Sequence, residues 1–84
     1  MRLPVIKKII NFIEERDIDY IEETIEVLEY LAMSDSLKDE EIDTLAEILS
    51  NLHGSIEVSK DIENGKDKNK SLNDFMKRVI GSIN

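Results

Sequence analysis

Four runs of apolar residues at helical spacing, separated by short polar breaks, constrain this chain more than any other feature. Ile18, Ile21, Ile25, Leu28 and Ala32 recur at alternating steps of three and four, and Ile42, Leu45, Leu49, Leu52 and Ile56 do the same. That period turns every member onto one side of an α-helix, whereas on a strand it would scatter them over both faces. An earlier run, Leu3, Val5, Ile6, Ile9, Ile10, Phe12 and Ile13, covers an arc of about 180° at helical pitch. Leu72, Phe75, Met76, Val79, Ile80 and Ile83 form the last. The pattern predicts an all-α fold: a small four-helix domain of up-and-down character, with helices near 3–16, 19–33, 37–64 and 71–82. Residues 1–84 make a single domain, because a chain of this length holds one small core.

Local chemistry sets the expected helix ends. Pro4 suits a first helical turn, where its missing N–H is no loss. Asp19 and Glu22 have capping-box spacing for the second helix, and Ser36 is placed to cap the third ahead of Asp39, Glu40 and Glu41. The third helix is the longest. Its apolar positions change side beyond Gly54, where Val58 and Ile62 leave the Leu49–Ile56 stripe, so it either bends near Gly54 or touches a second surface with its end. Asn64 to Lys70 contains no hydrophobe and reads as a loop, with Ser71 capping the final helix. Gly81 and Ser82 suggest a frayed or closely packed end.

Charge is segregated along the chain. Residues 1–13 carry three bases and no acid, residues 14–57 carry fifteen acids against two bases, and residues 58–84 carry six bases against four acids. An acidic centre repels phosphate, which argues against nucleic acid as a partner and suits either a basic partner or the basic end of one molecule meeting the acidic middle of another. The absence of cysteine excludes disulfides and thiolate metal sites, and it fits a reducing cytoplasm. Lys7 and Lys8 interrupt any signal-peptide core, and no apolar run approaches membrane-spanning length, so neither secretion by such a signal nor a membrane partner is expected.

Chemistry-bearing motifs are missing. There is no G-x-S-x-G, no phosphate loop and no H-E-x-x-H, so no nucleophile, base and electrophile can be nominated together and no enzyme is expected. His53 lacks the Glu-x-x-His spacing of helical metal centres, because Ser50 and Ile56 stand three residues away on either side. It falls at the edge of the apolar stripe and is read as a packing residue. No metal and no cofactor is expected. Lys66, Lys68 and Lys70 have no aromatic neighbour to stack a base, and read as a solvated loop.

The acids of the second helix are the candidate partner-binding residues: Glu22, Glu23, Glu26 and Glu29, a face without a base. In addition, the apolar arcs of the first two helices exceed the roughly 100° that one core contact requires. That excess predicts contact with another chain, as a homodimer or a hetero-complex. The expected function is therefore a small interaction or regulatory protein acting through a helical surface. The alternative is an accessory subunit or small-ligand carrier whose pocket forms at an oligomer interface, with His53 and nearby carboxylates lining it.

Leu3-Pro4-Val5-Ile6, Glu23-Thr24-Ile25-Glu26-Val27-Leu28-Glu29, Leu37-Lys38-Asp39-Glu40-Glu41, Leu49-Ser50-Asn51-Leu52-His53-Gly54 and the stretch from Asn73 to Ile83 together resemble a family of short, uncharacterised bacterial proteins. The resemblance covers nearly the full chain. It implies no activity and assigns no functional residue.

Overall fold

The computed structural model describes residues 2–83, with side-chain surroundings described as far as Val79, so the expectations for the side chains of residues 80–83 lie outside the described residues. The chain is all-α, with four helices in sequence: α1 (Leu3–Glu15), α2 (Ile18–Ala32), α3 (Asp39–Glu63) and α4 (Lys68–Ile83). The expected count, order and core stripes are all present. The helix ends are not where the capping signals put them. Asp17, not Asp19, caps α2, its carboxylate accepting the Asp19 N–H at 2.9 Å. Lys38, not Ser36, occupies the N-cap of α3, and Glu41 Oε1 reaches back to accept its N–H at 2.9 Å. Before α4 the loop is shorter than its composition suggests, because Asp67 Oδ2 accepts the Lys70 N–H at 3.1 Å and starts the helix ahead of Ser71. Ser71 is then an interior residue, fully buried, with its hydroxyl directed at Asp61 Oδ2, 3.4 Å away. At α3 and α4 a carboxylate, Glu41 or Asp67, takes the N–H that a serine was expected to cap; at α2 one aspartate replaces another two residues earlier.

α3 is the spine, packing against each of the other three helices. It uses two faces, and so the molecule has two cores. On one side, Leu52 meets Ile21 and Ile25, with Ile9, Ile13, Leu28, Leu49 and Ile56 packed around them. On the other, Val58 joins Ile6, Ile10, Leu72 and Phe75, flanked by Leu3, Ile62, Met76 and Val79. The change of side beyond Gly54 is thus explained by the second surface: α3 runs unbroken from Asp39 to Glu63, and its C-terminal half turns to α1 and α4.

Small residues make that second contact close. A β-carbon at Gly54 would stand 2.8 Å from Phe75 Cζ, so only glycine admits the ring at this distance. Ser55 is fully buried one residue on, its hydroxyl donating to the Asn51 carbonyl at 2.7 Å. Asn51, also buried, accepts the Arg2 backbone N–H at 2.9 Å and donates to the Glu47 carbonyl. The start of α1 is thereby tied to the middle of α3, and every buried side-chain N or O among the described residues has a partner.

α1 lies between the two cores and serves both. Ile6 and Ile10 belong to one, Ile9 and Ile13 to the other. Most of its 180° arc is therefore consumed within the chain, so breadth alone does not call for another molecule on α1; Phe12 is the large hydrophobe of the helix that stays exposed.

The arrangement is flat. Its principal extents are 41 × 35 × 17 Å and its radius of gyration is 13.7 Å, against about 12 Å for a compact chain of this length. Accessible surface is 6088 Å², where a monomer of 9.7 kDa ordinarily shows roughly 5100 Å².

Candidate functional site

Exposed large hydrophobic residues are concentrated on α2: Tyr20, Val27, Tyr30 and Leu31. At 100° per residue the core stripe of this helix, Ile21, Ile25 and Leu28, lies roughly 100° from a second stripe formed by Tyr20, Thr24, Val27 and Leu31. These four follow steps of four, three and four, the spacing of a seam that packs against another helix. Among the described residues it is left largely open, with Phe12 against Tyr20 at one end. Tyr20 is 55% exposed, Val27 65% and Leu31 39%. Thr24 bonds its hydroxyl back to the Tyr20 carbonyl at 2.6 Å, which leaves no free donor at that step.

Neighbouring helices extend the stripe at both ends. At one end Phe12 of α1 meets Tyr20 edge-on, with ring centroids 5.9 Å apart, beside a cleft of about 470 Å³ that includes Ile9, Ile21 and Thr24. At the other, Leu31 joins Leu37, Leu45 and the exposed Ile48 around a hollow of about 370 Å³. Between them a shallower hollow is lined by Tyr20, Thr24, Val27 and Leu28. Tyr20 and Thr24 line both the first cleft and the middle hollow, and one turn beyond Val27 the seam reaches Leu31 and the α3 hollow, so the three follow one another along α2 as a trough from α1 to the first turns of α3.

The trough is edged by acids. Glu15 stands at its α1 end, Glu23 along α2, and Glu40 and Glu41 at its α3 end, with Lys8 as the base among the lining residues. Of the four glutamates singled out in the sequence, the structure brings Glu23 to the trough. Glu22, Glu26 and Glu29 lie behind it on the outer side of α2, and all four are exposed. None of the four takes part in an ion pair among the described residues, whose three ion pairs all involve α4 or the loop before it: Lys66–Asp74 at 2.9 Å, Lys68–Glu14 at 2.7 Å, and Arg78–Glu57. The first has a titration consequence. Donation from the Lys66 ammonium holds the Asp74 carboxyl below its ordinary range, aided by the positive charge of Lys66, Lys70 and Lys77.

Two further expectations are revised. His53 is exposed on α3, belongs to neither core and lines none of the three clefts described above. Its azimuth at the edge of the stripe falls just outside the contact with α2. The lysine loop is not merely solvated: Lys68 reaches across to Glu14 and Asn11 and fastens the start of α4 to α1. Leu37, Thr24 and Ile48, which sequence reasoning passed over, belong to the trough. The available signal was the 4-3-4 spacing of Tyr20, Thr24, Val27 and Leu31, legible once separated from the core stripe beside it.

Among the described residues no three histidine or acidic side chains gather as they would around a metal ion, and no helix is long and apolar enough to cross a membrane. No curated protein and no solved structure matches the chain. A family model does match, over residues 1–84, and with the whole length covered the chain belongs to that family, described as a family of unknown function (DUF6952).

Proposed function

We propose that this chain is a non-enzymatic protein-interaction module of the cytoplasm that receives another protein on the α2 trough. The observation that carries the reading is the seam of Tyr20, Thr24, Val27 and Leu31: largely hydrophobic, at helix-packing spacing and exposed, while the principal apolar stripes of the described residues are packed into the two cores. Contiguous apolar patches of this kind are uncommon on solitary soluble domains and mark contact surfaces.

Affinity capture from native lysate, comparing the wild type with a Val27→Asp/Leu31→Asp variant, tests the surface directly. Both positions are exposed, so the variant keeps its fold, which a circular-dichroism melt verifies. A protein retained by the wild type and lost by the variant is the expected result. Identical retention by the two would overturn the reading.

A small-ligand carrier is the second reading, favoured by the volume of the α1–α2 cleft, which falls in the range of about 300–1000 Å³ usual for such sites. His53 is not among the residues that line this cleft. A melting-temperature screen against apolar metabolites that moves with Phe12→Ala would support it, and a flat screen would remove it.

A further inference from the structure

We infer that the occupant of the trough is a basic amphipathic helix, with hydrophobic residues at steps of three and four and Lys or Arg along its flanks. The inference rests on the α2 face being the contact surface proposed above, and adds the chemistry of what binds there.

Shape selects a helix. The seam is straight, lies on a single helix, and spans about 16 Å from Tyr20 to Leu31 at 1.5 Å per residue, or three turns of a partner lying alongside. Phe12 at one end and Ile48 at the other supply walls, which is the geometry of an amphipathic helix laid into a groove and anchored at i, i+3, i+4 and i+7. An extended strand would need an edge of free backbone N–H and C=O groups, and the helical backbone of α2 offers none.

Charge selects a basic one. Glu15, Glu23, Glu40 and Glu41 edge the trough, Glu22, Glu26 and Glu29 stand behind it, and α2 contains neither Lys nor Arg. The four α2 glutamates have no ion-pair partner among the described residues, so their charge is available to a ligand. The bases of the chain that do find acids are drawn to the α4 side. A second copy meeting the seam with its own α2 would bring two such helices together, each with five acids and no base, and like charges at an interface oppose that pairing. Anionic lipid and nucleic acid are repelled on the same ground.

Three fluorescein-labelled peptides of about 15–20 residues, a length that spans the seam, test the assignment by anisotropy with the full chain. One carries leucines at steps of three and four in a lysine background, the second has glutamate in place of each lysine, and the third has the composition of the first with its leucines dispersed. Sedimentation of the protein alone is run beside them. The expected result is binding of the first peptide at least about tenfold tighter than either control, weakened by raising salt from 0.05 to about 0.5 M and weakened at least about tenfold by Val27→Asp. Equal binding of the lysine and glutamate peptides would overturn the basic partner while leaving the α2 surface standing. Binding of the dispersed peptide as tightly as the patterned one, or binding indifferent to Val27→Asp, would show charge attraction alone and overturn the helix in the trough. A dimer that Val27→Asp dissociates, with no peptide bound, would make a second copy the occupant. A monomer that binds none of the three would overturn both this inference and the surface it rests on.

Discussion

On the α4 side of α3, Ile6, Ile10 and Val58 are sealed from solvent, Phe75 presses onto Gly54, and ion pairs from Lys66, Lys68 and Arg78 lace the outside. On the α2 side, Ile21, Ile25 and Leu52 are covered but not sealed, no ion pair is present among the described residues, and a hydrophobic seam faces outward. Both sides are built from the same kind of 3-4 apolar run. Each core draws on three helices, α1 and α3 together with α4 or α2; what separates them is the small buried residues that bring α4 close to the spine, and the second stripe that α2 leaves unused. A half completed within the chain carries stability, and a half left open is available for contact.

The largest effect that would break this contrast is at Phe75. Phe75→Ala empties a buried ring site and should cost about 3–5 kcal/mol, enough to unfold much of a domain whose whole stability is of order 4–13 kcal/mol. Val27→Ala, an equally drastic loss of its own side chain, should stay within about 0.5 kcal/mol because the residue is exposed. Urea unfolding of both variants measures the pair. Comparable losses would mean that the α2 seam is already covered, for instance by self-association, and that the two sides do not differ as described.

Gly54→Ala probes the closeness of the α4 contact. Alanine gains about 1 kcal/mol of helix propensity over glycine, but its β-carbon would stand 2.8 Å from the Phe75 ring, and overpacking of a core costs about 1–3 kcal/mol. The buried ring has little room to retreat, so a net loss of about 1 kcal/mol is expected, relieved in the background Phe75→Leu. A stabilised Gly54→Ala protein would show α4 to be free to shift, making the closed side looser than its contacts imply.

How far the sequence reveals this arrangement follows from what carries each feature. The core stripes of α2 and α3 are legible because periodicity alone defines them, and Ile21, Ile25, Leu45 and Leu52 are buried as that period requires. Asn51, Ser55 and Ser71 are not legible, since a polar residue reads as surface until a backbone group is found for it, and the Arg2 N–H that Asn51 receives lies 49 residues away. The breadth of the α1 arc misleads for a related reason: hydrophobic width tells how much a helix buries but not against how many neighbours. α2 shows the opposite case, where the same kind of width is left over. Its acids were visible, but only placement in three dimensions separates Glu23, at the trough, from Glu22, Glu26 and Glu29 behind it.

Those outer acids sharpen the comparison with a change of sign. Glu26 faces Glu22 one turn earlier and Glu29 three residues later, repulsions that nothing on α2 offsets. Glu26→Lys replaces them with a favourable Glu-to-Lys pair at i,i+4 and should raise stability by about 0.5 kcal/mol. The same substitution should weaken binding of a basic partner, so a face retained at a cost to folding is separated from one that is merely solvated. Thermal melts and peptide titration on one preparation report both quantities; a variant that is more stable and binds undiminished would leave Glu26 without a part in recognition.

The smallest effect belongs to the closed side and depends on pH. Because the Lys66 ammonium lowers the Asp74 pKa in the folded protein, the unfolded chain takes up the proton first as pH falls. The stabilisation is therefore complete above the ordinary carboxylate pKa, declines through it, and is gone below the lowered folded-state value. Asp74→Asn removes the contribution, so its melting temperature should lie slightly below that of the wild type at neutral pH and converge with it at strongly acid pH. The gap should shrink with added salt, since the pair is exposed. A gap that persists unchanged into acid would assign Asp74 a role in α4 independent of its charge.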